Sequence, residues 1–346
     1  MNIAVVGVGL VGGSIGLAAR ERLGATVRGV DPRGDQAVAR GAVDSAHDDL
    51  ASALEGADAA FVAVPVDGLL DTVRAVLDAA PPGCAVTDVG STKGAVARSC
   101  RDPRFVGGHP LAGAEVSGVE HARADLFDDA TWYLTPAPDA QGVVLERLHR
   151  LLSGLGARPV VIDAEAHDRL MAAVSHLPHV LANVLVARAA GALGDERVPA
   201  TGPSFRDATR VAGANPPLWN GIYAANAPAL GDELDGAIAA LAAVRDDLRS
   251  GADLTGWQQQ AAQDRAALLS ALAAGPVREL RALVPNRPGV VAEIALALSD
   301  AGINISDMAL SPSAGGERGE IAVSVPEARA EEAAALVVEL GFGVDL

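Results

Sequence analysis

Three short stretches of this 346-residue chain carry residue types that can do chemistry at informative spacings. The first is Gly7-Val8-Gly9-Leu10-Val11-Gly12-Gly13-Ser14. Gly7 suits a tight turn, Gly9 lets the backbone approach a pyrophosphate, and Gly12 lets a helix pack against a strand. The free amides where that helix begins, from Leu10 onward, then bind phosphate. About twenty residues on, a second strand-like run ends at Asp31, where a carboxylate accepts hydrogen bonds from ribose hydroxyls and favours NAD over NADP. Two alternatives stay open: Asp31 starts the turn Asp31-Pro32-Arg33-Gly34, or Arg33 grips a 2′-phosphate.

The second stretch, Asp88-Val89-Gly90-Ser91-Thr92-Lys93, lies just past a strand-like run, at the sheet edge where open α/β folds hold ligands. Of 27 basic residues 26 are Arg, and Lys93 is the only lysine. Arg replaces Lys freely on a solvated surface but not where a compact, flexible ammonium is needed. The third stretch, Gly107-Gly108-His109-Pro110, reads as a glycine-lined loop presenting one His. A neutral imidazole near pH 7 can accept a proton there. Further along come His167-Asp168, Ser175-His176-Leu177-Pro178-His179, Phe205-Arg206-Asp207-Ala208-Thr209-Arg210 and Trp219. Arg206 and Arg210 are four apart, on one face of a helix, and either grip carboxylates or pair with neighbours such as Asp207. His47, His121 and His149 read as surface residues, and His167 and His176 as intermediate.

These residues need elements to position them. From Asn2 to about Ile162, β-rich runs such as Ile3–Val6, Val27–Val30 and Ala85–Asp88 alternate with helical stretches, which predicts a Rossmann-type, mostly parallel sheet with helices on both faces. From Ala164 to about Ala274 the strand signal vanishes and Ala- and Leu-rich helical periodicity takes over. After Gly275-Pro276 the order strand, helix, strand, strand, helix, strand is a βαββαβ unit of ferredoxin-like type. The expected domains are 1–164 (α/β, dinucleotide-binding), 165–275 (all-helical, for substrate and dimerisation) and 277–346.

The formal charge of −17 argues against nucleic acid, whose binding needs clustered cations, so an anionic ligand must meet locally placed ones. No run of about 18 uncharged apolar residues appears and the opening Met-Asn-Ile-Ala-Val-Val has no basic flank, so a soluble protein without signal peptide or membrane span is expected. Cys84 and Cys100 match no metal-ligand spacing, no other grouping does, and the expectation is no metal and a reducing cytoplasm.

The motifs GVGLVGGS (7–14), DVGSTK (88–93), GGHPLAGAE (107–115), SHLPH (175–179) and FRDATR (205–210), in that order, resemble the prephenate dehydrogenase family over essentially the whole chain. The resemblance implies NAD-dependent oxidative decarboxylation of prephenate to 4-hydroxyphenylpyruvate in tyrosine biosynthesis, or of arogenate directly to tyrosine. It implies that His109 accepts the hydroxyl proton and that Ser91 shares that hydrogen bond and keeps His109 and the nicotinamide in register. It further implies Arg210 on a substrate carboxylate, His179 against the substrate, and Arg206 and Trp219 shaping the pocket. Many relatives have Lys where this chain has Arg206. Lys93 is expected beside the cofactor as electrostatic support. Glu115 either selects the ammonium of arogenate or meets the amides of a following helix.

The segments Val284-Pro285-Asn286-Arg287-Pro288-Gly289 and Gly302-Ile303-Asn304-Ile305 resemble those of an ACT domain. That implies an amino-acid effector, tyrosine, at Asn286 and Asn304, or a purely dimerising module. A homodimer through the helical domain is expected. The competing readings are a sensor without turnover, which intact His109, Ser91 and Arg210 disfavour, and a reductase of β-hydroxy acids, which leaves GGHPLAGAE and the C-terminal unit unexplained.

Overall fold

The computed structural model describes all residues except 114–115, 194–200, 273–275, 313–316 and 346. It divides into two compact units, Met1–Ala190 with Val211–Ile238, and Gly191–Arg210 with Ala239–Leu346, a division that falls inside the helical stretch.

In the first unit, β1 (Asn2–Val6), β2 (Thr26–Val30), β3 (Ser45–Ala46), β4 (Ala59–Val62) and β5 (Ala85–Asp88) form a parallel sheet in the order β3-β2-β1-β4-β5. Ile3 and Val5 with Ala59 and Phe61 face one apolar cluster, and Ala4 and Val6 with Ala60 and Val62 face the other. Both faces are covered, so these strands read as unbroken apolar runs. Strand order reverses between β1 and β4, the position where such sheets open a crevice at the strands' C-terminal ends.

The helix Leu10–Leu23 is buried continuously from Gly12 to Ala19. It is wedged against a 3-10 turn at Val119–His121, and a Cβ on Gly13 would come within 2.9 Å of Ala122 Cβ and 3.0 Å of Val119 Cγ2.

A second sheet joins β6 (Val106–Pro110) antiparallel to β7 (Thr131–Pro136) and β7 parallel to β8 (Arg158–Val161). His109 therefore lies within β6, opposite Tyr133, and not on a loop. Two glycines, poor strand formers alone, hide this strand in the sequence, and pairing with β7 supplies it.

Ala164–Met171 continues through a π turn, Ala172–His176, into Leu177–Leu193. Pro178 lacks the N–H that would bond the carbonyl four residues back, and the helix widens just before it. By length and composition Ala164–Ala192 could cross a bilayer, and little of its most apolar stretch is buried. Glu165, Asp168, Arg169 and Arg188 interrupt it, so it is not one uncharged run.

The second unit carries β9 (Val277–Pro285), β10 (Asp307–Pro312), β11 (Arg318–Pro326) and β12 (Gly343–Asp345), an antiparallel sheet in the order β10-β11-β9-β12. Leu280, Ala282 and Val284 alternate inward from β9 and share a core with Ile294, Leu298 and Val337 of the helices Val290–Asp300 and Ala330–Glu339. This is the expected βαββαβ unit.

Candidate active site

The crevice above β1 and β2 is a cavity of about 770 Å³ lined by Gly7, Gly9, Leu10, Gly12, Asp31 and Ser91. Each glycine has its own reason. Gly7 has φ +90°, and a Cβ there would run into the carbonyl of Ala63. A Cβ on Gly12 would strike the carbonyl of Gly7, whereas one on Gly9 would meet nothing within 4 Å. So Gly7 and Gly12 bring strand and helix together, while Gly9 leaves open space beside the first helical amides, room suited to a pyrophosphate.

Asp31 is anchored by the N–H groups of Val8 (2.8 Å, to Oδ2) and Arg33 (2.8 Å, to Oδ1). It both shapes its turn and presents an oriented carboxylate to the cavity. These donors and this acceptor fit a dinucleotide. Arg33 and the half-buried His47 also line the cavity, so His47, expected at the surface, lies on the crevice. β3, only two residues long, gave the sequence no sign that it would carry His47 to the crevice.

A second cluster is built on side chains. His109 Nδ1 lies 2.9 Å from His167 Nε2, and His167 Nδ1 lies 2.9 Å from Asp168 Oδ1. The carboxylate of Asp168 also accepts the N–H of Lys93 (2.7 Å) and of Gly94 (2.7 Å). Burial pushes its pKa up, but hydrogen bonds from His167 and the two amides outweigh this and hold it below the usual value.

The ionised carboxylate accepts, so His167 carries its proton on Nδ1 and offers Nε2 as acceptor. His109 must then donate from Nδ1, which leaves the lone pair on its Nε2. Burial, reinforced by His167, Lys93 and His176, holds His109 well below the ordinary imidazole value of 6.5. It is therefore a neutral, oriented base at pH 7.

His167 and Asp168 carry more of this arrangement than their sequence context suggested. The signal was present: Ala164, His167, Asp168 and Met171 are all buried, so a polar pair occupies positions on a helical stripe where apolar residues belong. Asn226, which the sequence reading missed, is 3% exposed. It donates to the Asp168 carbonyl (2.7 Å) and contacts His176 Nδ1 (3.1 Å). Burial lowers His176 to about 4.

Trp219 stacks on His179 with ring centroids 3.5 Å apart and meets His176 edge-on at 6.1 Å. His179, His176 and Trp219 thus form one aromatic group joined through Asn226 to the His109 relay.

Lys93 is displaced from its expected place. It is 1% exposed and absent from the cavity lining. Its Nζ pairs with Asp88 and donates to the Gly108 carbonyl at 2.7 Å. With its donors turned inward it supports the wall and does not reach a cofactor. Burial pulls its ammonium below the ordinary value, against the attraction of Asp88.

Arg206 lies on the helix Pro203–Thr209, and Arg210 begins the 3-10 turn that follows. Arg210 keeps helical backbone angles (φ −52°, ψ −39°) as that helix's C-cap, and both residues belong to the second compact unit. Asn286 and Asn304 flank opposite ends of the helix Val290–Asp300, a span of about 16 Å at 1.5 Å per residue, so one C-terminal unit does not bring them together. Glu115 lies outside the described residues. Among the described residues no group of three His, Cys, Asp or Glu side chains could hold a metal ion.

Comparison with known proteins accounts for nearly the whole chain. Residues 15–161 match the model of the prephenate dehydrogenase nucleotide-binding domain, 163–260 that of the prephenate dehydrogenase dimerization domain, and 278–340 that of the ACT domain. A prephenate dehydrogenase of Bacillus subtilis is 31% identical over 332 residues, 89% of this chain and 87% of that protein. A cyclohexadienyl dehydrogenase of Zymomonas mobilis is 35% identical over 260 residues, 72% of this chain and 89% of that protein.

Among solved structures, Synechocystis arogenate dehydrogenase superposes with a TM-score of 0.69 at 30% identity, covering 78% of this chain and all (100%) of that one. Prephenate dehydrogenase from A. aeolicus, in complex with hydroxyphenyl propionate and NAD+, gives 0.72 at 26% identity over 78% of this chain and 98% of that one. With the glycine cradle, the histidine relay and these matches in one frame, the chain belongs to the prephenate dehydrogenase family.

Proposed function

We propose that this chain oxidises and decarboxylates prephenate to 4-hydroxyphenylpyruvate, with NAD in the glycine cradle and His109 as the proton acceptor. The observation that carries this reading is the relay from Asp168 through His167, which leaves the lone pair of a neutral His109 on Nε2. Bound NAD supplies the hydride acceptor. As hydride leaves the carbinol carbon its hydroxyl becomes strongly acidic, so even a weak base with a depressed pKa can take the proton. The positive charge then formed on His109 is shared through His167 with the Asp168 carboxylate. When CO2 leaves, its electron pair enters the ring, and the aromatic oxygen takes the proton back; prephenate and NAD thus give product, CO2 and NADH with no net proton. Ser91, on the cavity wall, would orient the substrate hydroxyl.

Arg210, Arg206, His179 and Trp219 are proposed for the substrate's carboxylates and ring, with domains at 1–164, 165–275 and 277–346. The exposed Val184, Leu185 and Val186 fall in the segment matched to a dimerization domain, which supports a homodimer with that stretch of helix covered by a second copy. Buried free thiols at Cys84 and Cys100 suit a reducing cytoplasm. Tyrosine as effector requires Asn286 of one C-terminal unit to meet Asn304 of another.

Purified protein with NAD and either prephenate or arogenate, followed at the NADH absorbance with and without tyrosine, tests the reading. Turnover of prephenate with equal NADH and CO2 is expected. NADH from arogenate alone would transfer the assignment to that substrate, for which the similar Synechocystis enzyme is named, and no NADH from either would overturn it.

A further inference from the structure

The site reading leaves one costly feature unexplained, a lysine and an aspartate buried together behind the cavity. Lys93 is 1% exposed and Asp88 0%. Buried ion pairs persist only where geometry and extra hydrogen bonds compensate for lost hydration. Here the compensation converges on one residue, Gly108, directly before His109. Lys93 Nζ donates to the Gly108 carbonyl (2.7 Å), and Asp88 Oδ1 accepts the Gly108 N–H (3.1 Å). Asp88 Oδ2 also accepts the N–H of Gly90, beside the cavity residue Ser91.

The same lysine acts from its main chain. Its N–H donates to Asp168 Oδ1, the far end of the relay that holds the His109 ring. We propose that Lys93 is a positioning residue: side chain and backbone amide together close a ring through Asp168, His167, His109 and Gly108 that fixes the catalytic imidazole. The inference rests on His109 being the proton acceptor.

The glycines around it are sized for this ring. A Cβ on Gly107 would lie 3.3 Å from Lys93 Cδ and 3.5 Å from Asp88 Oδ1, besides striking Thr135. One on Gly90 would strike Leu69 Cδ2 and lie 3.1 Å from Asp88 Oδ2, and one on Gly94 would lie 2.8 Å from Asp168 Oδ2. In a space so closely lined the planar guanidinium fork of Arg does not substitute for a compact ammonium. That accounts for the single lysine in a chain with 26 arginines.

Among the described residues, the charged and titratable groups around His109 are Asp88 at the end of β5, Lys93 in the turn after it, Tyr133 across the strand pair on β7, and His167, Asp168 and His176 from the helical segment. Among them Lys93 helps to keep the proton off His109.

Two variants test the ring. Lys93→Met/Asp88→Asn removes both charges together, so no lone buried carboxylate remains, and Lys93→Arg keeps the charge but not the shape. Each is checked for a cooperative melt, then for kcat, KM, NAD affinity by calorimetry and the pH profile. Both should lower kcat roughly ten- to a hundredfold, the scale of a small misplacement of a reacting group, with NAD affinity within about twofold. In the double variant the acid limb should also move up toward 6.5, as Lys93 no longer opposes protonation of His109.

Wild-type kcat in either folded variant, or a wild-type acid limb in the double variant, would overturn the proposal, as would a loss confined to KM or NAD affinity. If the double variant does not fold, Lys93→Arg decides on kcat and NAD affinity. Normal Lys93 variants beside an inactive His109→Asn sink the ring alone, whereas an active His109→Asn sinks the reading of His109.

Discussion

The dinucleotide cradle and the histidine relay share one compact unit and are built in opposite ways. The cradle works through main chain and empty space: Gly7, Gly9 and Gly12 matter for the atoms they lack, and the cavity is open to a large ligand. The relay works through buried side chains, in which Lys93, His167, Asp168, His176 and Asn226 are all nearly inaccessible and hydrogen-bonded. Binding a charged cofactor calls for amides and room. Holding one imidazole neutral and correctly oriented calls for dryness and fully paired neighbours. Changes in the cradle should therefore move affinity, and changes in the relay should move the rate.

The largest expected effect is His109→Asn, which should lower kcat by roughly 10²–10⁴ with NAD affinity nearly unchanged. A matching loss of NAD affinity, read by calorimetry, would erase the distinction between the two regions. Asp168→Asn keeps the shape and removes the charge that orients and stabilises the relay. Losing about 1.5–3 kcal/mol of charge-assisted hydrogen bonding should cost roughly ten- to a hundredfold in kcat, and an unchanged kcat would make Asp168 purely structural. Smallest is Asp31→Ala, expected to erode the NAD preference over NADP by about tenfold, near 1.4 kcal/mol. A fixed ratio of kcat/KM for the two cofactors would shift the selection to Arg33 or His47.

The same contrast explains what could be read in the sequence. The cradle was legible because its glycines and Asp31 act through local spacing on β1, the first helix and β2. The relay was legible only at His109. Its partner His167 is 58 residues away, and Asn226 reaches His176 across 50; no local pattern specifies such pairings, though two polar residues on a buried helical stripe hinted at one. Lys93 was recognised as unusual from composition, but its partners emerged only when β6 folded beside β5. The C-terminal βαββαβ order was legible from alternating apolar residues, as in β9, whereas the separation of Asn286 from Asn304 by a helix length required the fold.

The central claim, that a neutral His109 held by the relay takes the substrate proton, is tested most directly by the pH dependence of kcat/KM. His109 accepts a proton only when neutral, and its folded-state pKa lies well below 6.5. The active fraction is then complete above that depressed value and declines only as pH falls through it. The account predicts a plateau from about pH 8 down past 6.5, with the acid limb below it and missing from the residual activity of His109→Asn. An acid limb centred at or above 6.5 in the wild-type enzyme would contradict it.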